Sequence, residues 1–168
     1  MSKCLISNIS KENLIDFKCD YSYLTPKDLD VEMKDLVLES NKIESKLPIS
    51  FPFVYFFDYE EEQMKEMSKY FKDKGITPIF CANTRANLLW TLRSLLDELM
   101  KEHNTFCAIN TLQELIKKVM QLPVNENKEV TENLLMKSFM ILQNKDLNQM
   151  NEMIHELTQL LRDHMKDA

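Results

Sequence analysis

The sequence predicts an α/β fold: a small, mostly parallel sheet of about four strands covered by helices, followed by a C-terminal helical appendix. Three observations point there. Residues 51–103 alternate apolar runs of strand length with amphipathic stretches of helix length, in the order strand, helix, strand, helix. Apolar residues on the final stretch, Leu147, Met150, Ile154, Leu157, Leu161 and His164 with them, recur at steps of three and four, which is a helix-packing seam. The short runs CLISNI and YSYL nearer the N-terminus add two further strand candidates, which makes four.

The N-terminal run CLISNI, within residues 3–9, is short and apolar and reads as the first strand. Asn8 or Ser10 then caps a short expected helix through Phe17, with Leu14, Ile15 and Phe17 inward. Residues 21–24 form a second short strand. Thr25 caps the next helix, Pro26 fits its first turn, and Asp28 complements the dipole; Leu29, Met33, Leu36 and Val37 share a face to about Glu39. Residues 41–49 are polar, contain Pro48, and read as a loop.

The run FPFVYFF at 51–57 is nearly continuous in aromatic and β-branched side chains, the pattern of a strand buried on both faces. Asp58 with Glu61 has capping-box spacing for the following helix, whose stripe is Met64, Met67 and Phe71 and whose end is Gly75. The Glu60, Glu61, Glu62 cluster reads as a solvated first-turn cap in preference to an acid–base pair. Residues 76–82 are the next strand, and connection rules make it parallel to the preceding one through a right-handed crossover. The order of strands in the sheet does not follow from the sequence.

The turn at 83–91 admits two starts for the next helix. Beginning after Asn83, the helix would bury Leu88, Leu92, Leu95, Leu96 and Leu99 and turn Trp90 away. Beginning at Thr91, the hydroxyl caps it and Trp90 packs on Leu95 as a hydrophobic staple. The second start is preferred, and it leaves an ordered loop at the C-terminal end of a strand, where α/β sheets place their sites. That helix is expected to end at His103. A domain boundary then falls near residue 110, between an α/β domain (1–109) and an appendix (110–168) of about three helices. Thr111 with Glu114 opens the first, to about Leu122 before Pro123. The second runs over 125–143 with Val130, Leu134, Phe139, Ile141 and Leu142 as its apolar residues, and Asp146 with Gln149 caps the third.

At FFDYEEEQM (56–64), and above all at TRANLLWTLRSLLDELMKEH (84–103), the chain resembles a bacterial family known as the domain of unknown function 3783 family. The resemblance rests on Thr84, Asn87, Trp90, Thr91, Leu92, Leu95, Leu96, Glu102 and His103. It covers residues 51–103 and, more loosely, the N-terminal part, but not the appendix. It implies a small α/β domain with no established activity. Two positions depart from the expected pattern: Asp58 stands where a glycine is expected, and Ser94 where a capping-box Glu is expected.

Composition narrows function further. A net charge of -6 and a pI near 5.2 work against nonspecific nucleic-acid binding unless the basic residues gather on one face. Neither a leader-like segment nor an apolar run of membrane-spanning length is read, so a soluble cytoplasmic protein is expected. One glycine excludes phosphate-cradling loops and nucleophile elbows. The four cysteines, Cys4, Cys19, Cys81 and Cys107, form no CxxC pair; Cys4 and Cys81 read as buried, and Cys19 and Cys107 stay open as thiols that a neighbouring cation could activate. His103 reads as a helix C-terminal cation. His155 and His164 fall on opposite sides of a helix, so no metal site and no cofactor is expected.

Thr84, Arg85, Asn87, Trp90 and Thr91 are the candidate ligand-binding residues, since hydroxyl, amide and guanidinium groups beside an indole could hold a small anionic or amide-bearing ligand. The alternative is that Asn87 bonds the loop to itself and Trp90 seals the core edge. No catalytic residue is assigned. The sequence leans toward a non-enzymatic interaction or regulatory module with a protein partner, itself or another, on the C-terminal helices; a ligand binder or unrecognised enzyme using loop 83–91 is the alternative.

Overall fold

The computed structural model describes residues 1–123 and 127–166. They form two compact units, Met1–Leu96 and Asp97–Ala168. The expected division near residue 110 falls inside a helix.

The first unit is built on a four-stranded sheet in the order β2-β1-β3-β4, with β1 at Lys3–Ser7, β2 at Tyr21–Tyr23, β3 at Phe53–Phe57 and β4 at Ile79–Ala82. β1 pairs with β2 in parallel and with β3 antiparallel, and β3 pairs with β4 in parallel. The expected mostly parallel α/β sheet is therefore what forms. Both central strands are buried on both faces, which is why they read as continuous apolar runs.

Alternation sends Cys4, Ile6, Val54 and Phe56 to one face, where they meet Leu14, Tyr23, Met67 and Phe71. The last two come from helix α2, Glu61–Asp73. Lys3, Leu5, Ser7, Phe53 and Tyr55 fall on the opposite face by the same alternation. Lys3 is buried there because its ammonium donates to the Glu39 carbonyl, and Ser7 accepts from the Leu47 amide at 3.0 Å. These two buried polar groups thus each have a partner, which removes most of the cost of taking them out of water.

Several local expectations are corrected. Residues 11–14 make one 3-10 turn and not a helix to Phe17, and Ile15 is exposed. Asn8 does not cap that turn; it lies at φ 60 and its amide donates to the Leu47 and Ile49 carbonyls. Between Thr25 and Glu39 the expected single helix is a 3-10 turn, Pro26–Asp28, followed by the short helix α1, Met33–Leu36. The Leu29 and Val31 carbonyls, which a continuous helix would use, instead accept the amides of Arg93 and Leu92 at 2.8 and 3.0 Å. Tertiary pairing has outcompeted the local helix. The Thr25–Asp28 cap survives, with the Thr25 amide donating to the Asp28 carboxylate at 2.7 Å.

α2 starts two residues later than Asp58 would allow, at the capping residue Glu60, whose amide donates to Gln63 Oε1. Asp58 itself sits at φ 60, the backbone conformation for which glycine is favoured, so the expected glycine and the observed aspartate answer one steric demand. At the other end Gly75 has φ 74; its amide donates to the Lys72 carbonyl and that of Ile76 to the Phe71 carbonyl. This double bond is a Schellman cap. A Cβ at Gly75 would meet nothing within 4 Å, so only backbone conformation opposes substitution. Gly75→Ala should therefore lower stability by about 1 kcal/mol in a denaturant titration.

The second unit takes most of α3 (Leu92–Met120), with α4 (Lys128–Asn144) and α5 (Leu147–Lys166). The two helices expected on either side of residues 104–110 are one 29-residue helix. No glycine or proline interrupts it, and its inward stripe simply continues as Ala108, Leu112, Ile116 and Val119, all buried. The Thr111–Glu114 spacing is thus internal and caps nothing. The expected start of α4 at residue 125 lies outside the described residues. α5 begins as read, with the Gln149 amide donating to Asp146 Oδ1 at 2.9 Å. Met150 and Leu157 of its seam are fully buried, with Met153 beside them. Of the apolar residues read on α4, Ile141 is buried and Leu134 and Leu142 are half-buried, while Val130 and Phe139 are exposed. Phe139 lies about 200° around the helix from Ile141, so both cannot face one core.

Candidate functional site: the loop after β4

β4 ends at Ala82, and the Asn83 amide extends its ladder by donating to the Phe56 carbonyl at 2.9 Å. From there the chain makes a 3-10 turn, Asn87–Leu89, and enters α3. The point that holds this path is Asn87, only 6% exposed. Its Oδ1 accepts from the Tyr55 hydroxyl and from the Thr84 amide, each at 2.8 Å. Its Nδ2 donates to the Ala82 carbonyl at 3.0 Å and touches Cys81 Sγ at 3.8 Å, and its own amide donates to Thr84 Oγ1 at 3.0 Å. The loop is stapled to the middle of the sheet through one carboxamide. Tyr55 is fully buried, and desolvation pushes its phenol well above the usual tyrosine range, so it stays a proton donor to Asn87.

Thr91 begins α3, as the preferred start requires: the Ser94 amide donates to Thr91 Oγ1 at 3.2 Å, and Thr91 Oγ1 lies 3.1 Å from Ser94 Oγ. Ser94 therefore substitutes a hydroxyl pair for the expected Glu. The first amides of the helix are also engaged, since Leu92 and Arg93 donate to Val31 and Leu29. With its leading N–H groups used in this way, the helix N-terminus does not offer them to an anion. Arg93 forms a two-point ion pair with Asp30, at 2.9 and 3.4 Å, and this guanidinium lowers the Asp30 carboxyl below its usual range.

Of the five candidate residues, the structure joins Thr84 to Asn87 directly and places Thr91 at the cap. Arg85 is exposed, and Trp90 is 40% exposed beside the exposed Leu89. Trp90 also fixes the loop through its backbone, its carbonyl accepting the Met33 amide at 2.9 Å.

The cysteines fall into distinct environments, all as free thiols. Cys4 is buried, donates to Met67 Sδ at 3.6 Å, and is pushed up to about 12 chiefly by desolvation. Cys19 is half-buried and also raised by burial. Cys81 is half-buried where full burial was expected, and Cys107 is exposed.

In the second unit, the outward side of α4 carries Met136, Phe139 and Met140, which are 67%, 47% and 64% exposed. Their spacing of three and four puts them on one face. The sequence signal was present, but Phe139 reads equally well as core until the register of the bundle is known. Among the described residues no helix is long and apolar enough to cross a membrane, and no group of three or more His, Cys, Asp or Glu is placed to hold a metal ion.

Neither a curated protein nor a solved structure matches the chain. A family model, described as a domain of unknown function (DUF3783), matches residues 52–106, about a third of the chain, which span β3, α2, β4, the stapled loop and the first half of α3.

Proposed function

We propose that this chain is a non-enzymatic cytoplasmic protein-interaction module that pairs with a second copy of itself through the outward face of α4. The observation that carries this reading is the exposed triad Met136, Phe139 and Met140. Contiguous exposed apolar side chains mark interaction surfaces, and methionine adapts its shape to a partner.

The face is self-complementary. A two-fold axis level with residue 138 sets Met136 of one copy beside Met140 of the second and brings Phe139 close to its own counterpart. The triad supplies the buried centre, and neighbouring polar residues supply the remaining area that a stable interface of about 800 Å² per partner requires.

The alternative, a ligand-binding or enzymatic loop at 83–91, draws support from Arg85 and Trp90 alone. Thr84, Asn87 and Thr91 have their polar groups engaged in the loop and the helix cap. No specific observation favours it over the α4 surface.

Sedimentation over a concentration series tests the proposal. The full chain is expected to dimerise reversibly, and Phe139→Glu to weaken the dimer by at least about tenfold with helical content unchanged. A chain that remains monomeric at high concentration, or a Phe139→Glu dimer as tight as the wild type, overturns the reading.

A further inference from the structure

Two thiol-chemistry residues outside the loop lie one helical turn apart on α3. Cys107 Sγ is 3.6 Å from His103 Nε2, and the thiol is exposed. Cys107 also lines a cleft of about 350 Å³ within the second unit, together with Asn104, Ala108, Thr111, Asn151 and Ile154. Its lining combines apolar Ala108, Leu147 and Ile154 with the carboxamides of Asn104 and Asn151, groups suited to a small polar molecule with amide groups. Of the other three cysteines, Cys4 is buried and Cys19 and Cys81 are half-buried.

We propose that Cys107 is a covalent modification site for small amide-bearing disulfides of the glutathione class, with His103 as its base and the cleft seating the incoming group. The chemistry is thiol–disulfide exchange. His103 Nε2 takes the thiol proton and the Cys107 thiolate attacks one sulfur of the disulfide. A new S–S bond forms to Cys107, the original S–S bond breaks, and the departing thiolate recovers the proton. Cys107 is oxidised, the small disulfide is reduced to one thiol, and no other oxidant is needed.

Burial separates the thiols chemically. Burial raises Cys4 and Cys19 and so disfavours their thiolates, whereas Cys107 is exposed beside an imidazole. The cleft residues contributed by α5, Leu147, Asn151 and Ile154, are uncharged, and Lys101 and Glu102 precede His103 on α3.

The test uses the full chain with glutathione disulfide, followed by mass mapping of the modified cysteine over time. One adduct at Cys107 is expected to form first and to vanish in Cys107→Ser. His103→Gln should slow it roughly five- to tenfold near neutral pH and recover the wild-type rate as the pH is raised, since hydroxide then does the work of the missing imidazole. First modification at another cysteine, an unchanged rate in His103→Gln, or failure of alkaline pH to restore that rate would each refute the assignment.

Discussion

Asn87→Ala is expected to destabilise the protein by about 3 kcal/mol, the largest effect of any change in the loop. The substitution removes a carboxamide that satisfies three other groups: the Tyr55 hydroxyl, the Thr84 amide and the Ala82 carbonyl. The Tyr55 hydroxyl sits in a fully buried residue, where no water replaces the lost acceptor. A buried polar group left unpaired costs about 1–3 kcal/mol, and this change strands more than one. Tyr55→Phe removes one partner only and should cost about 1 kcal/mol. Combining the two in a double-mutant cycle separates the Tyr55 bond from the remainder, because in the double variant neither side of that bond is left orphaned. Equilibrium unfolding in urea reads all three variants. A loss below about 1 kcal/mol for Asn87→Ala would mean that the loop is held by its backbone pairing to residues 29–33, not by the carboxamide.

Leu157→Ala carries the second large effect. Leu157 is fully buried in the seam of α5 among Leu112, Met150 and Met153. Truncating such a leucine removes its transfer free energy and leaves a cavity, at a cost of about 3–5 kcal/mol. The core of the second unit is small, with eight buried apolar residues among the described ones, so a loss of this size is a large share of what holds it together. Hydrogen exchange should then show α4 and α5 amides losing protection while those of β1 and β3 keep theirs. Met165→Ala, at an exposed position of the same helix, should stay within about 0.5 kcal/mol of wild type. If Leu157→Ala leaves exchange in α5 unchanged, the seam is not the core of that unit.

Much of the fold was legible because single residues imposed it locally. FVYFF in β3 has no polar alternation and had to be a doubly covered strand. Gly75 stops α2 by its left-handed backbone, Thr91 caps α3, and Asp146 caps α5. Each of these is a short-range steric or hydrogen-bonding constraint that a sequence carries openly.

The misreadings share one cause. Residues 26–39 have a helix-like pattern, yet the α3 amides took the Leu29 and Val31 carbonyls. Residues 104–110 look like a boundary by composition, yet continuous burial along Ala108, Leu112 and Ile116 carries the helix through. In the candidate site, the sequence marks Asn87 as a polar loop residue and leaves its self-bonding role as one of two readings. Its distant partner Tyr55, 32 positions earlier, could not be read from spacing. The His103–Cys107 pair was hidden for the same reason, since its four-residue step has meaning only once α3 is known to run unbroken.

By itself the sequence determined that this chain forms a β3-α2-β4 unit with a leucine-faced helix behind an indole-bearing turn, and a helical tail with a packed seam. Only the tertiary structure decided the strand order β2-β1-β3-β4, the burial of Asn87 against Tyr55, and which side of α4 meets solvent. The division follows from range: caps, turns and periodicity act within a few residues, whereas sheet order and helix register are chosen by contacts between segments dozens of residues apart.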